Sequence, residues 1–453
     1  MRPVDPSQIE HALERIRAAL AAGQIQSAID ALRELHPADR AEAFTDLEDD
    51  EVAALLPELS PRTTGRLLSE LGDKDAVDLA ETLDTGRLAD ALDRMEPDKA
   101  ADVLGDLDPR RAAEVVAEMQ AAKGVLPLLD FPDKTAGGRM TTSFIAFPET
   151  IRAADAIDRL RQAEPGSDTP YYLYVQDQAG RLVGVVGVRD LLVASPQAPV
   201  ERFMKSEVKS VRTGDDQEVV ARLMSRYGLG AIPVVDDQGV MRGVISHDDI
   251  LDVIQQEATE DLYRLANLPS SDLSINSPLV TSVRRRLPWL YVNALTALFA
   301  AWVIGNFQNL IAQVAVLAVF QSVVAGMGGN TATQSLTLMV RAIALGELQA
   351  HRPTRTVLKE GLTGLLHGVF VGTALGLGVW LWKRNLALGA ILAVAIVGNM
   401  LVAGVVGALV PITLRSLKLD PALASSVIVT TFTDSVGFAL FLGLGSVFLP
   451  YLQ

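Results

Sequence analysis

Apolar and polar residues are distributed very unevenly along this chain. Leu287 to Val340 runs 54 residues without a charged side chain, Gly361 to Trp382 runs 22, and Asn385 to Leu414 runs 30. Pro421 to Gln453 carries one charge, Asp434. A helix of about 20 apolar residues crosses a bilayer, so the pattern predicts five spans, near 287–307, 311–328, 361–382, 386–414 and 421–450. Met1–Asp50 is polar throughout, and no signal peptide is read there.

Before Val283 the pattern changes to short repeats. Pro37, Asp49, Pro61, Asp73, Thr85, Pro97 and Pro109 recur every twelve residues. Each opens a short amphipathic stretch such as Pro97-Asp98-Lys99-Ala100-Ala101-Asp102-Val103-Leu104. Pro, Asp or Thr ahead of apolar residues at helical spacing marks a helix start, so residues 1–130 are expected to form an all-α helical-repeat domain. A duplication follows, in which 140–195 and 204–254 share a strand–helix–strand–strand–helix pattern. Asp177 matches Asp236 and Asp190 matches Asp249, 59 apart, whereas Met140 matches Met204, 64 apart. The first copy therefore carries about five extra residues, placed at Glu164–Asp168. The expected fold is multidomain, with helical repeats (1–130), an α/β tandem pair (138–198 and 199–256), a linker helix (257–286) and a five-helix transmembrane domain (287–453).

Charge sharpens this division. The chain of 453 residues has a net charge of −15, but residues 284–453 hold 11 Lys/Arg and 4 Asp/Glu, leaving 29 and 51 to residues 1–283, a net of −22. Such an acidic soluble half excludes a nucleic-acid binder, which needs a basic face. With no cysteine there are no disulfides or thiolate metal sites, and five histidines leave little for zinc or copper. Arg284, Arg285, Arg286, Arg341, Arg352, Arg355, Lys359, Arg415 and Lys418 fall on one side of the five spans, and only Lys383 and Arg384 on the other. By the positive-inside rule the N-terminus is cytoplasmic and the C-terminus outside, in a multi-pass membrane protein.

The second copy of the duplication reads Ile232-Pro233-Val234-Val235-Asp236 and then Gly243-Val244-Ile245-Ser246-His247-Asp248-Asp249. It resembles the cystathionine-β-synthase (CBS) domains, which often bind adenine nucleotides through a Ser/Thr and an Asp three residues later. Ser246 and Asp249 match that pair; the first copy has Gly187 before Asp190 and departs from it. The resemblance implies ATP as a regulatory ligand, with Tyr172 and Arg189 of the first copy as further contacts. The competing role for Ser246 and Asp249 is to cap the helix that follows.

Two features stand out in the apolar half. Gly326-Met327-Gly328-Gly329-Asn330-Thr331-Ala332-Thr333-Gln334 places three glycines within four positions at the end of the second span. Non-helical backbone at that depth survives only when buried or lining a wet cavity, so a break is expected there, with a tight helix crossing as the alternative. Asp434 is the one acid of the last span, and an intramembrane carboxylate is a functional candidate. Gly364, Gly368, Gly372 and Gly376 recur every four residues and read as a packing ridge.

Acidic repeats, a CBS pair, a linker and five spans, with Gly329-Asn330-Thr331, Arg341-Ala342, Leu419-Asp420-Pro421-Ala422 and Asp434, together resemble the MgtE-type magnesium channels. The resemblance implies a homodimer in the lipid bilayer, with no obligate partner protein. The pore lies on the two-fold axis, where Asp434, Asn330, Gly328 and Gly329 meet hydrated Mg2+. It also implies that cytosolic Mg2+ closes the pore by binding between acidic faces. By position the donors are Asp216, Glu218, Asp249, Asp252, Glu257, Glu260, Asp261 and Asp420, joined by one or more of Asp90, Asp93, Asp98 and Asp102. For Asp420 the alternative is a helix cap ahead of Pro421. Ser322, Ser426-Val427 and Gly228 stand where the family pattern leads one to expect a proline, an Asn-Pro pair and an acid. No nucleophile–base pair or Walker loop is present, so the chain does not read as an enzyme and ATP is not its fuel. An H+- or Na+-coupled transporter and a non-conducting nucleotide receptor are the rival classes.

Overall fold

The computed structural model describes residues 6–162, 172–268, 273, 277–350, 353–422 and 425–452. The Glu164–Asp168 insertion, Ile275 of the linker and Arg352 lie outside the described residues. The chain forms two compact units, Met1–Val253 and Ile254–Gln453.

In the first unit, α1 (Pro6–Ala21) and α2 (Ile25–Glu34) precede helices that begin at all seven repeat positions. These are α3 (Pro37–Thr45), α4 (Asp49–Leu55), α5 (Pro61–Glu70), α6 (Asp73–Thr82), α7 (Thr85–Leu92), α8 (Pro97–Asp106) and α9 (Pro109–Glu118), and the single turn α10 (Ala122–Val125) follows. Ser60, Asp84 and Asp108 accept hydrogen bonds from amides of the first turns of α5, α7 and α9, at 3.3, 3.0 and 2.9 Å. These contacts satisfy N–H groups that have no partner within the helix. The sequence period of twelve becomes 24 in space. The Arg87 guanidinium donates to the carbonyls of Leu56 and Leu59, and Arg111 donates to those of Ala80 and Leu83, each group 24 residues further on. Alternate helices stack, α3 on α5 on α7 on α9, and α6 on α8. The repeating unit is thus a helix pair, because two successive amphipathic helices are needed to close one layer of core.

The duplication folds as β1 (Ala146–Pro148), α11 (Ala153–Gln162), β2 (Tyr172–Gln176), β3 (Leu182–Gly187) and α12 (Val188–Val193). The second copy is β4 (Val211–Arg212), α13 (Gln217–Tyr227), β5 (Ala231–Val235), β6 (Met241–Ser246) and α14 (His247–Leu265). In each copy the first two strands are parallel and the last two antiparallel. The copies exchange their leading segments. Thr141 pairs with Val244 through bonds of 2.8 and 3.0 Å, and Lys205 pairs with Val185 through bonds of 2.9 and 3.0 Å. Met204 then lies on Gly184 and Met140 on Gly243, so close that a Cβ at either glycine would approach within 2.5 or 2.7 Å of the methionine. The 64-residue spacing of the methionines is kept by Phe147 and Val211 of β1 and β4 and by the starts of α11 and α13, and falls to 59 from β2 and β5 onward, so the extra residues of the first copy lie between α11 and β2. One continuous core joins the helical repeats to the second copy, through residues such as Leu104, Met140, Ile232 and Ile250, whereas the first copy keeps its own.

The second unit holds the end of α14, then α15 (Leu279–Gly305), α16 (Gln308–Gln313), α17 (Val316–Ala344), α18 (Pro353–Lys383), α19 (Leu386–Ser416) and α20 (Ser425–Val447). By length and composition α15, α18, α19 and residues 426–447 can each cross a membrane; α17 is a fifth long helix, packed on α19 and α20. The linker is not the one helix expected over 257–286. Among the described residues α14 stops at Leu265, Asn267 takes a left-handed conformation (φ 59°), and the Arg284–Arg286 cluster already belongs to α15.

The glycine ridge of α18 packs backbone to backbone on α19. A Cβ at Gly364, Gly368, Gly372 or Gly376 would lie 2.2, 2.8, 2.8 or 2.6 Å from Met400 O, Val397 Cα, Ala393 O or Gly389 O. Gly389 and Gly404 of α19 return the contact. Small residues are what allow such approach where no water drives helices together. Gly364→Leu is expected to cost about 3 kcal/mol, the upper end for overpacking. It should lower the melting temperature in detergent, while Gly378→Leu, whose Cβ meets nothing within 4 Å, leaves it unchanged.

Candidate functional site

Asp434 lies midway along α20 and lines a cavity of about 270 Å³. Asn293 and Thr296 of α15, Ser426 and Thr430 of α20 and Asn267 line it as well. Every polar group in this wall offers oxygen or amide nitrogen. The Asp434 carboxylate has no hydrogen-bond or ion-pair partner among the described residues and is partly exposed to the cavity.

The break expected at Gly326–Gln334 is absent. Residues 316–344 form one unbroken helix, and Thr331 and Thr333 donate back to Met327 O and Gly329 O at 3.0 Å, so their hydroxyls need no water. The tight crossing is what the structure shows. Asn399 of α19 is fully buried and donates to Val324 O at 2.9 Å. Gly328 and Gly437 flank it, and a Cβ at either would come within 2.1 or 2.6 Å of its side-chain amide. Gly328, Gly329 and Asn330 are not among the residues lining the Asp434 cavity, and Asn330 is exposed.

In the first unit, α8 brings Asp98, Lys99 and Asp102 to Asp249 and Asp252 of α14. Lys99 Nζ stands 3.7 Å from Asp249 Oδ1. Burial opposes the lysine's charge, but the carboxylates of Asp249, Asp98, Asp102 and Asp252 outweigh it and raise its pKa. Asp98 is 4% exposed, and its Oδ1 has no partner. Burial, reinforced by the Asp249 charge, pushes its carboxyl up to about 6. Burial pushes Asp102 up to about 7, against the pull of Arg139 and Lys99. Of the other two repeat acids, Asp93 caps the amides of Gln120 and Ala121 at 2.9 and 2.8 Å, and Asp90 is exposed. Asp216 caps α13, accepting from Glu218 N at 2.8 Å, and both side chains are exposed. Gly228, where an acid was expected, ends α13 at φ 60°, a conformation that suits glycine.

The nucleotide candidates gather at one end of the two sheets. Ser246 donates to Asp249 and receives the Asp249 amide at 3.5 Å, so the pair does cap α14. Ala231 pairs with Ser246 across β5 and β6. Its neighbour Gly230 meets only the ring of Tyr172, which is 38% exposed. Tyr172 pairs with Gly187, next to α12, where Arg189 is exposed. An exposed ring, a glycine and a hydroxyl–carboxylate pair at one sheet end fit an adenosine.

In the second unit, the acids at the end of α14 fall into two groups. Glu257 and Asp261 share a face, and burial, reinforced by the Glu257 charge, pushes Asp261 up to about 6. Glu260 and Asp420 both hold Arg264, which bridges them. Asp420 also accepts from Ala422 N at 2.7 Å, capping the turn ahead of α20. Among the described residues no three His, Asp or Glu side chains are grouped to hold a metal ion. Sequence reasoning passed over Lys99, Arg264 and Asn399. The signals were there: Arg264 follows Glu260 by four on one helix, Lys99 is flanked by acids, and Asn399 is the single amide in the apolar run Leu386–Leu414.

The profile of the divalent cation transporter family MgtE matches residues 321–444, that of the MgtE intracellular N domain 35–134, and that of the CBS domain 136–196 and 200–256. Magnesium transporter MgtE of Thermus thermophilus is 37% identical over 324 residues, 71% of this chain and 72% of that protein. The chain belongs to the MgtE family. The MgtE magnesium transporter of Enterococcus faecalis is 35% identical over 73% of each chain. About half of the chain is similar to the crystal structure of the cytosolic domain of the Mg2+ channel MgtE in complex with ATP. That match has a TM-score of 0.50 and 33% identity and covers 53% of this chain and 99% of that one. The crystal structure of the soluble part of a magnesium transporter is similar to the same extent, at 29% identity. Membership of MgtE and the apolar helices together make this a multi-pass membrane protein.

The raised carboxyls give the α8–α14 contact a pH dependence. Unfolded, Asp98 and Asp102 release their protons near 3.8; folded, they hold them to about 6 and about 7. The folded state therefore binds more protons between about pH 4 and pH 7, and stability falls as pH rises through that window. In metal-free buffer, hydrogen exchange of α8 amides, corrected for intrinsic rate, is expected to quicken from about pH 5 to about pH 7. Asp98→Asn combined with Asp102→Asn should flatten the dependence.

Proposed function

We propose that this chain is the subunit of a homodimeric channel that admits Mg2+ to the cytoplasm down its electrochemical gradient. The observation that carries the reading is the cavity beside Asp434, whose carboxylate lies unpaired in an otherwise nearly uncharged half. Mg2+ sheds water reluctantly and is held through one or two carboxylates while keeping several waters. Six waters occupy about 180 Å³, within the cavity's 270 Å³. Two symmetry-related copies of Asp434 supply two carboxylates on the two-fold axis, with α17, including Gly328, Gly329 and Asn330, beside them. A divalent ion gains roughly 4.6 kcal/mol per 100 mV of membrane potential, so inward flow needs no fuel. The positive charges place the N-terminus in the cytoplasm and the C-terminus outside, in the bacterial inner membrane.

Cytosolic Mg2+ closes the channel by neutralising acidic faces. Asp216, Glu218, Asp249 and Asp252 supply oxygens in the CBS region with Asp98 and Asp102 of α8, and Glu257 and Asp261 supply them near the membrane, where Glu260 and Asp420 are held by Arg264. The unpartnered, fully buried Asp98 Oδ1 supports this, since a cation is the partner it lacks. ATP acts as a regulator at Tyr172, Arg189, Ser246 and Asp249. A second reading, coupling to H+ or Na+, draws on the same unpaired Asp434, which would then carry the proton; flux that saturates with Mg2+ and follows pH favours it.

Asp434→Ala is expected to cut Mg2+ flux into proteoliposomes about tenfold or more, the size of one lost charge-assisted contact, with the dimer intact by size-exclusion chromatography. Flux near that of the unaltered protein removes Asp434 from the mechanism. Titrating ATP into the full-length protein in a calorimeter should give heat, and Ser246→Ala should weaken binding roughly fivefold, one hydrogen bond's worth. No heat at millimolar ATP ends the nucleotide proposal.

A further inference from the structure

We propose that Arg264 and Asn267 form a metal-independent latch, which holds the end of α14 against the turn leading into α20 and so favours the closed state of the Asp434 cavity. The proposal rests on the channel reading. Three contacts within the second unit converge on this joint. The Arg264 guanidinium bridges Glu260 of its own helix and Asp420 of the turn. Leu265 packs on Leu336, Val340 and Ala422. Asn267 accepts a hydrogen bond of 2.7 Å from the hydroxyl of Ser426, the second residue of α20.

The joint adjoins the ion cavity itself, because Asn267 and Ser426 line the same wall as Asp434. Asn267 reaches that position by turning left-handed at φ 59°, which asparagine tolerates better than other side chains. The chain thereby leaves the helix axis and lays its amide across the start of α20. The Arg264, Asp420 and Glu260 side chains are 29%, 24% and 13% exposed. Such partial burial makes the bridge count for more than a surface ion pair. Asp420 spends one oxygen on Ala422 N and the other on Arg264, so both are engaged by groups of the chain itself. A guanidinium is delocalised and weakly hydrated, and its fork suits two carboxylates at once. It therefore does at this joint, from within the chain, what a divalent cation does between acidic faces. Mg2+ then has to supply only the remainder of the closing energy.

Single-channel recording on the full-length protein in planar bilayers, with cytosolic-side Mg2+ varied from none upward, tests this. Arg264→Gln removes the charge, and Asn267→Gly removes the amide while keeping a residue that adopts positive φ. Each is expected to raise the open-to-closed ratio without Mg2+ about tenfold, the size of one hydrogen bond to a charged group. Each should also move the half-inhibiting Mg2+ concentration upward. Ser426→Ala attacks the same contact from α20 and should match Asn267→Gly. Arg264→Lys should recover part of the closure, since it keeps the charge and loses the fork. Unchanged inhibition curves in Arg264→Gln and Asn267→Gly overturn the latch. Closure of Arg264→Gln at lower Mg2+ than the unaltered protein also overturns it, since the guanidinium would then compete with the metal. Asp434→Asn in the same recordings keeps the two ideas apart. Full conduction in that variant defeats the pore reading, whereas lost conduction there with unaltered curves in the other variants defeats only the latch.

Discussion

Hydrocarbon offers no partner to an unpaired backbone amide, and the membrane unit is arranged around that constraint. Helices must stay whole, so the glycines that a soluble protein would spend on turns are spent here on contact between helices. α18 and α19 touch through backbone atoms along four glycines, which sets α19 at the centre of the unit with α17 and α20 against its other sides. The same constraint keeps α17 continuous through Gly326–Gln334. Gly328 and Gly437 make room for Asn399, the buried amide that ties α19 to α17 through Val324 O. Ser335 of α17 donates to Glu360 of α18 at 2.8 Å, whereas Asp434 faces a cavity.

The acidic helices face the opposite difficulty, an excess of negative charge that must be brought together. Where acidic helices approach, the chain supplies cations of its own: Lys99 beside Asp98, Asp102 and Asp249, and Arg264 between Glu260 and Asp420. Neither neutralises its surroundings fully. Asp98, Asp102 and Asp261 keep raised pKa values, because burial removes water faster than the tethered charges replace it. That residual repulsion favours the protonated carboxyls in these joints.

The CBS pair shows how far a repeat constrains function. Its two copies answer each other bond for bond, as Leu182 N to Gly239 O and Met241 N to Gly180 O, with Asp177 and Asp236 each closing a turn by accepting amide and arginine hydrogen bonds. Only the second copy, however, carries a hydroxyl ahead of its aspartate and packs with the helical repeats in one core. Symmetry of fold is thus combined with asymmetry of surface.

Periodicity alone determined which segments are apolar helices, where seven short helices begin, and that one α/β unit is duplicated, because each depends on residues close together in sequence. It also singled out Asp434, since one charge in an apolar run is visible without a structure. Three matters were left to tertiary packing. Whether Gly326–Gln334 bends depended on Asn399, about 70 residues away, needing the space. The twelve-residue period became a 24-residue unit only when Arg87 and Arg111 found carbonyls about 30 residues behind them. Which acids acquire a cation depended on the approach of α8 to α14 and of Arg264 to Asp420. A carboxylate's partner is set by distance in space, and no local pattern in the sequence encodes that distance.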